Sequence, residues 1–211
     1  MKDVQELLID EPVGHLASSD DSTRGWVMKD QLLTFSWNRP AKVQKTTFKL
    51  ASGYAKEWDD VVEALKTFEK SPGVKAIVVR IESPGGGVAP SQEIYKAIRE
   101  ARDAKPVIAS MGGVAASGGY YIASACDTIV ANPGTLTGSI GVIMEFRGLR
   151  QLADKVGVTE EVVKSGTFKD IGNPMRPVTD AERKLLQGMV DDVYSQFVDA
   201  VASGRGIDPA K

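Results

Sequence analysis

Two kinds of hydrophobic periodicity alternate along the chain from about residue 57 onward. Apolar residues from Trp58 to Phe68 recur at spacings of three and four, which predicts an amphipathic helix that ends near Gly73. The β-branched run at 76–81 then predicts a buried parallel strand. Further strand patterns lie at 106–111, 128–131 and 160–163, and further helical patterns at 94–98, 120–125 and 149–156. This alternation predicts an α/β fold with a mostly parallel sheet and flanking helices.

The last long element is predicted to be a helix that begins at Thr179. Thr179 and Glu182 have the spacing of a capping box, in which the threonine caps the first turn and the glutamate reaches back. An apolar stripe runs from Leu185 to Val201, and Gly204 is expected to end the helix.

The first fifty residues show a weaker pattern. Leu32 to Trp37 is a candidate short strand, and Asn38-Arg39-Pro40 a candidate turn. We interpret the single histidine, His15, as a surface or loop residue.

Composition narrows the choice of chemistry. A chain of 211 residues fits one domain with a sizeable core, and its net charge of −2 gives no reason to expect nucleic acid as a partner. No run of 18 apolar residues occurs, so we expect no segment of this chain to span a bilayer. Cys126 is the one cysteine and is expected to be a small buried hydrophobe. With one histidine, a Ser-His or Cys-His mechanism must use His15 or fail.

Two glycine-rich segments follow successive predicted strands. Ser83-Pro84-Gly85-Gly86-Gly87 is either an oxyanion hole or a plain tight turn, and no Gly-Lys-Ser/Thr follows it to indicate a phosphate loop. In the segment from Gly112 to Tyr120, predicted to be a turn into a helix, Ser117 is the one residue with a nucleophilic side chain. Taken alone, this segment is slightly better explained by close helix–strand packing. Because the two turns should lie side by side at one sheet edge, their conjunction favours catalysis. Carboxylates, tyrosines and lysines all remain candidates for the general base.

Four segments in order resemble the signal peptide peptidase A family, bacterial serine peptidases of the Clp-protease/crotonase-like fold. They are Ser83-Pro84-Gly85-Gly86-Gly87, Ala115-Ala116-Ser117-Gly118-Gly119-Tyr120, Thr137-Gly138-Ser139-Ile140-Gly141-Val142 and Lys164-Ser165-Gly166-Thr167-Phe168-Lys169-Asp170. The similarity runs from about Asp59 to Ile207. Each segment alone is weakly diagnostic, whereas four in this order are strongly so.

The resemblance implies a Ser-Lys dyad. Ser117 matches the family's nucleophile, Lys169 matches its base, and Ser139 matches the serine that orients the lysine amine. The backbone N–H groups of Gly86 and Gly118 match the oxyanion donors. The family implies no cofactor or metal, and it implies peptide substrates such as signal peptide remnants. It further implies homo-oligomers and anchoring on the extracytoplasmic face of a membrane, which would need a segment absent from this chain. Asp170 is expected to point away from Lys169, since pairing would raise the pKa of the amine.

The resemblance divides the chain into an unassigned segment, 1–50, and a Ser-Lys peptidase domain, 51–211. Residues 1–50 do not match the family pattern, and relatives continue beyond the position of Lys211, so the domain is expected to be truncated at its C-terminus. Two alternatives stay open. A crotonase-like acyl-CoA enzyme would use the same glycine geometry without Ser117. A non-catalytic oligomeric scaffold would need neither the glycine geometry nor Ser117.

Overall fold

A computed structural model describes residues 4–9, 23–28, 31–36, 45–48 and 55–209. The strands are β1 (Val4–Ile9), β2 (Thr23–Met28), β3 (Gln31–Ser36), β4 (Lys45–Phe48), β5 (Ala76–Ser83), β6 (Val107–Ala116), β7 (Thr128–Val130) and β8 (Leu136–Gly138). The helices are α1 (Ala55–Lys70), α2 (Val88–Ala104), α3 (Gly118–Ser124), α4 (Arg150–Val156) and α5 (Asp180–Arg205).

Six parallel strands form the main sheet, in the order β4-β1-β5-β6-β7, with β8 also paired to β6. Strands β2 and β3 form a separate antiparallel pair. The long strand β6 pairs first with β7, through 108–110, and then with β8, through 114–116. The α/β prediction with a mostly parallel sheet is therefore confirmed.

Strand β5 shows why the sheet has one well-covered face. Its residues alternate between half-buried and buried, so that Ile77, Val79 and Ile81 are fully buried. Helices α1 and α2 supply side chains of the same buried core, including Leu65 and Ile98. Burying residues of this size contributes about 1.5–3 kcal/mol each, which fixes the carboxyl ends of β5 and β6 that carry the glycine-rich segments.

Three sequence predictions are corrected by the structure. The segment from Gly112 is not a turn throughout, because β6 continues to Ala116. Residues 160–163 do not form a strand. Gly204 does not end the last helix, which continues to Arg205, and Gly206 follows with a φ of +64°. The capping box is confirmed, since Thr179 N–H donates to Glu182 Oε2 at 2.9 Å and Glu182 N–H to Thr179 Oγ1 at 3.3 Å.

The first fifty residues contribute strands to the same sheet as the peptidase motifs. Strand β1 lies between β4 and β5, and the strand predicted near Leu32 corresponds to β3. His15 and the predicted turn at Asn38 lie outside the described residues.

By its contacts the chain divides into two compact units. The first comprises 1–140 together with 199–211, and the second comprises 141–198. The first unit contains the sheet and its buried core. The second contains α4, the loop with Lys169, and most of α5.

Candidate active site

Ser117 occupies a strained junction between β6 and α3. Its backbone has φ +52° and ψ −120°, a conformation that residues other than glycine rarely adopt. The junction is held on both sides, because Ser117 N–H donates to Gly138 O at 2.8 Å and Tyr121 N–H donates to Ser117 O at 2.8 Å. A sharp strand-to-helix turn of this kind presents the hydroxyl of a nucleophile at the end of the sheet.

A bulge in β6 leads the chain to this junction. Ile81 is opposite Met111, but Ser83 is opposite Ala115, so β6 has extra residues between these two pairs. The Glu82 carboxylate accepts hydrogen bonds from Gly113 N–H at 2.7 Å and Val114 N–H at 2.9 Å, which satisfies the bulged backbone. A Cβ on Gly112 would collide with that carboxylate. Sequence reasoning missed Glu82, although an acid in a buried strand, with a Gly-Gly pair in the next strand, was the available signal.

The loop after β5 lies directly against Ser117. A Cβ built on Gly85 would be 2.7 Å from Ser117 Cβ and 3.0 Å from Ser117 Oγ, and the φ of Gly85 is +116°. Both the space and the backbone conformation therefore require glycine. The two glycine-rich segments do lie side by side, as their order along the chain predicts.

Gly86 and Gly118 bring two backbone N–H groups near the serine. A Cβ built on Gly118 would be 3.2 Å from Gly86 N, and one built on Gly85 would be 3.0 Å from Gly118 N. Within the described part of the chain, neither the Gly86 nor the Gly118 N–H has a hydrogen-bond acceptor. Two adjacent free donors next to a serine hydroxyl have the composition of an oxyanion hole.

Ser139 follows β8, the strand paired with the end of β6. Ala116 is the register partner of Gly138, so Ser117 and Ser139 are the next residues along two adjacent parallel strands. Neighbouring strands are about 4.8 Å apart. Ser139 is exposed and has a φ of +54°, so both serines have a positive φ.

Lys169 belongs to the second unit, whereas the other predicted site residues belong to the first. It lies in a series of turns, with its N–H donating to Gly166 O at 3.2 Å. The residue is exposed in this chain, although sequence reasoning invoked a dehydrated cleft for the base.

The neighbouring lysine and acid of this segment are paired with each other. Lys164 Nζ lies 2.6 Å from Asp170 Oδ1, and Arg176 Nη2 lies 2.8 Å from the same oxygen. Hydrogen bonds from Arg176 and Lys164 hold the pKa of Asp170 well below its usual range. As expected, the ion pairs of Asp170 in the described structure are with residues other than Lys169.

Other titratable groups are less suited to the chemistry. Cys126 is fully buried, as predicted, and burial raises the pKa of its thiol to about 12. Over the described residues, no group of three or more His, Cys, Asp or Glu side chains is arranged to hold a metal ion.

Comparison with known families decides the relationship. The pattern of peptidase family S49 matches residues 99–211, more than half of the chain, and that of the Clp protease family matches residues 45–135. The chain belongs to peptidase family S49, the signal peptide peptidase A family. The match to the Clp protease family and the parallel sheet together confirm the fold class predicted from the sequence.

Named relatives agree with this assignment. A putative protease of Synechocystis is 47% identical over 77% of this chain and 57% of the relative. A putative signal peptide peptidase SppA of Enterococcus faecium is 39% identical over 68% of this chain and 42% of its own length. The chloroplastic serine protease SPPA of Arabidopsis thaliana is 37% identical over 71% of this chain and 22% of its own length. The chain thus spans roughly half, or less, of the length of these relatives.

None of the helices in the described part of the chain is both long enough and apolar enough to cross a membrane.

Proposed function

We propose that this S49 family chain acts as a serine endopeptidase with Ser117 as nucleophile and Lys169 as general base. The observation that carries the proposal is the contact of Ser117 with the Gly85–Gly86 loop, where two backbone donors without acceptors adjoin the hydroxyl. A plain structural turn would not need a serine with strained backbone and two N–H groups without acceptors. Nor would it need a glycine, Gly85, at a position where no side chain fits.

The chemistry proceeds through an acyl-enzyme. Lys169, as a neutral amine oriented by the Ser139 hydroxyl, takes the proton of Ser117 Oγ while Oγ attacks the scissile carbonyl carbon. The Gly86 and Gly118 N–H groups stabilise the oxyanion of the tetrahedral intermediate, a contribution worth about 2.7–4 kcal/mol per donor. The ammonium of Lys169 then protonates the leaving amine, and water hydrolyses the ester by the reverse proton route.

The pairing within the second unit supports Lys169 over Lys164 as the base. Lys164 Nζ donates hydrogen bonds to Asp170 Oδ1 and to Thr167 O, at 2.6 Å and 3.1 Å, so its amine is already engaged by two acceptors. Lys169 has no ion pair among the residues that the structure describes, so its amine is free to act.

For substrates we propose peptides with small or apolar side chains near the cut, such as signal peptide remnants. The residues around Ser117 are alanine and glycine, which leave room for a substrate backbone. One relative is named as a putative signal peptide peptidase, which supports this class.

For partners we propose peptide substrates and further copies of this chain. The second unit exposes many large apolar side chains: Ile143 84%, Leu152 58%, Val156 65%, Val158 53%, Val163 95% and Met189 51%. Exposed apolar area on this scale marks interaction surfaces in soluble proteins. Association of copies would also remove water from loops that are exposed in one chain, including that of Lys169.

Labelling by a fluorophosphonate probe tests the nucleophile. The probe should form one covalent adduct, located by peptide mass spectrometry at Ser117, and the Ser117→Ala variant should form none. A crotonase-like enzyme would turn over an acyl-CoA thioester without an adduct at Ser117, and a scaffold would give neither adduct nor turnover. Either of these results would refute the proposal.

A further inference from the structure

A cluster of four charged side chains holds the loop that contains Lys169. The Arg176 guanidinium binds the Asp170 carboxylate with two parallel hydrogen bonds, Nε to Oδ2 at 2.9 Å and Nη2 to Oδ1 at 2.8 Å. Arg176 Nη1 also donates to Glu182 Oε2 at 2.8 Å, and Nη2 contacts Glu182 Oε1. Lys164 completes the cluster through Asp170. With two cations and two anions, the cluster has no net charge.

The two carboxylates of this cluster are withdrawn from water. The Asp170 side chain is 12% exposed and that of Glu182 3%, whereas Arg176 is 28% exposed. Fork-like pairs between arginine and carboxylate fix orientation as well as contributing energy. The fork therefore restricts the orientation of both side chains more than a single-contact salt bridge would.

Glu182 ties the cluster to a long helix. Its carboxylate accepts from Thr179 N–H at 2.9 Å and from Thr179 Oγ1 at 3.0 Å, so it completes the capping box while it binds Arg176. Arg176 is therefore fixed to the first turn of the 26-residue helix α5. From that helix a continuous series of hydrogen bonds runs through Glu182 and Arg176 to Asp170, the residue next to Lys169.

The backbone of the Lys169 loop has mainly local bonds of its own. Ile171 N–H donates to Phe168 O at 3.1 Å and Asn173 N–H to Asp170 O at 3.0 Å, each spanning three residues. Isolated turns of this kind hold a loop weakly. Arg176 adds a longer-range bond, since its Nη2 also donates to the backbone oxygen of Asp170 at 3.2 Å.

We propose that Arg176 is a positioning residue of the peptidase reaction: acting through Asp170, it fixes the backbone of Lys169 and neutralises the carboxylate of the adjacent residue. This inference rests on the proposed role of Lys169. Arg176 itself touches neither substrate nor reacting atoms in this account. Sequence reasoning did not single it out, because a lone arginine in a loop carries no pattern.

The charge of the cluster should affect the pH dependence of the reaction, which a purely structural role would not. Replacing Arg176 by glutamine leaves the cluster with a net charge of −1, which favours the protonated form of a nearby amine and moves the activity rise to higher pH. Replacing Asp170 by asparagine leaves +1 and moves the rise to lower pH. The other charged groups of the second unit that bind this loop are Lys164, Glu182 and Glu160, the last through Asn173 Nδ2 at 2.8 Å, and they are the same in both variants.

The test is the rate of fluorophosphonate labelling of the full chain at pH 6 to 10. Against wild type, Arg176→Gln should label about tenfold or more slowly at neutral pH, since misplacement of a catalytic group by about 1 Å can cost 100-fold. Its rise should move to higher pH, and that of Asp170→Asn to lower pH. Arg176→Lys keeps the charge without the fork, so it should keep the wild-type midpoint at a reduced rate.

Arg102→Gln is the matched control. Arg102 forms an Arg–Asp pair in the first unit, with Nε 3.0 Å from Asp127 Oδ1. Its glutamine variant should keep the labelling rate within about twofold of wild type and leave the midpoint pH unchanged, because an ion pair of this kind contributes little. Equal slowing by Arg102→Gln would reduce the effect to general stability and overturn the inference.

The outcomes separate this inference from the proposed function. No labelling of wild type, or undiminished labelling of Lys169→Ala, refutes the dyad itself. The positioning role alone is refuted if wild type is labelled, this labelling depends on Lys169, and Arg176→Gln has the same labelling rate and midpoint pH as wild type. Circular dichroism shows whether each variant is folded. If Arg176→Gln does not fold, the positioning role is refuted instead by two results together: an unshifted midpoint pH in Asp170→Asn and a wild-type labelling rate in Arg176→Lys.

Discussion

Backbone strain at two serines is the most specific residue-scale feature of this molecule. Ser117 and Ser139 are the two non-glycine residues with positive φ among the described residues, at +52° and +54°. They follow the ends of two paired parallel strands. Strained backbone of this kind costs about 1–3 kcal/mol per residue and persists where the surrounding structure enforces it. In the proposed mechanism, both serines direct their hydroxyls to one lysine amine.

Gly85 offers a residue-scale prediction. Gly85→Ala places a methyl group 3.0 Å from Ser117 Oγ at a φ of +116°, so the hydroxyl or the loop must move. Labelling of Ser117 should fall about 100-fold, as expected for a displaced catalytic group. Gly134→Ala is the control, because nothing lies within 4 Å of its Cβ position and its φ is outside the left-handed region. A Gly85→Ala rate equal to that of Gly134→Ala would contradict the close approach.

Ser139 gives a second prediction at this scale. Ser139→Gly removes the hydroxyl and adds no backbone strain, because glycine adopts a positive φ readily, so a loss of rate reports on the hydroxyl. We expect slower labelling of Ser117, with the rise moved to higher pH because the neutral amine loses its partner. The pH dependence of the labelling rate measures this, and a Ser139→Gly rate at or above wild type would show that the hydroxyl is not needed.

Individual residues were predictable to the extent that they belong to local patterns. Ser117 and the glycines near it stand out because small residues cluster around one nucleophile. Composition and spacing left the base open between carboxylates, tyrosines and lysines, and the family resemblance alone indicated Lys169. Glu82 stands out in the sequence as an acid in a buried strand, whereas Arg176 belongs to no local pattern. Their partners lie 31 and 6 residues away, and spacing along one sequence does not identify them.

At the scale of elements, periodicity located the strands and helices but not where β6 ends. The run from Gly112 to Ala116 is so rich in small residues that it indicates a turn, yet pairing with β5 and β8 keeps it extended. The opposite error occurred at 160–163, where a predicted strand that ends in two valines is not a strand in the structure. In both places tertiary pairing overrides local preference.

The start of α5 supports a prediction about acid stability. Hydrogen bonds from Arg176 and Thr179 lower the pKa of Glu182 from 4.5 to about 2. Because the folded value is depressed, this carboxylate stabilises the fold above pH 4.5 and loses that effect as pH falls toward 2. Glu182→Gln should therefore have a lower urea midpoint than wild type at pH 7, with the gap narrowing between pH 5 and 2.

Glu161→Gln is the control for this experiment. Glu161 is exposed and has no salt bridge among the described residues, so its variant should follow the wild-type curve. A gap between Glu182→Gln and wild type that stays constant across this pH range would contradict the linkage.

At the scale of the whole molecule, the two units differ in how they bury apolar surface. The first has a contiguous core around β5 and β6. In the second, the sequence pattern on α5 predicted an apolar stripe, and two of its members, Leu185 and Met189, are 45% and 51% exposed. Amphipathic periodicity shows that a face is apolar, but it does not say whether the same chain or another covers it.

Self-association follows as a prediction. The chain should elute above monomer mass in size exclusion with light scattering at micromolar concentration. Replacing Val163, which is 95% exposed, by aspartate should lower that mass, because burying a charge in an apolar contact is costly. Gln151→Asp adds the same charge at an exposed polar position and should not. A monomeric wild type would contradict the proposal.

The central claim is that Lys169 activates Ser117, and the pH dependence of the fluorophosphonate labelling rate measures it most directly. For wild type the rate at Ser117 should rise with pH as an amine loses its proton, and Lys169→Ala should lose both the rate and this rise. Lys184→Ala, an exposed lysine on α5, should behave as wild type. Rapid labelling of Lys169→Ala at neutral pH, or a wild-type rate that peaks near pH 5 and declines by pH 8, would contradict the account.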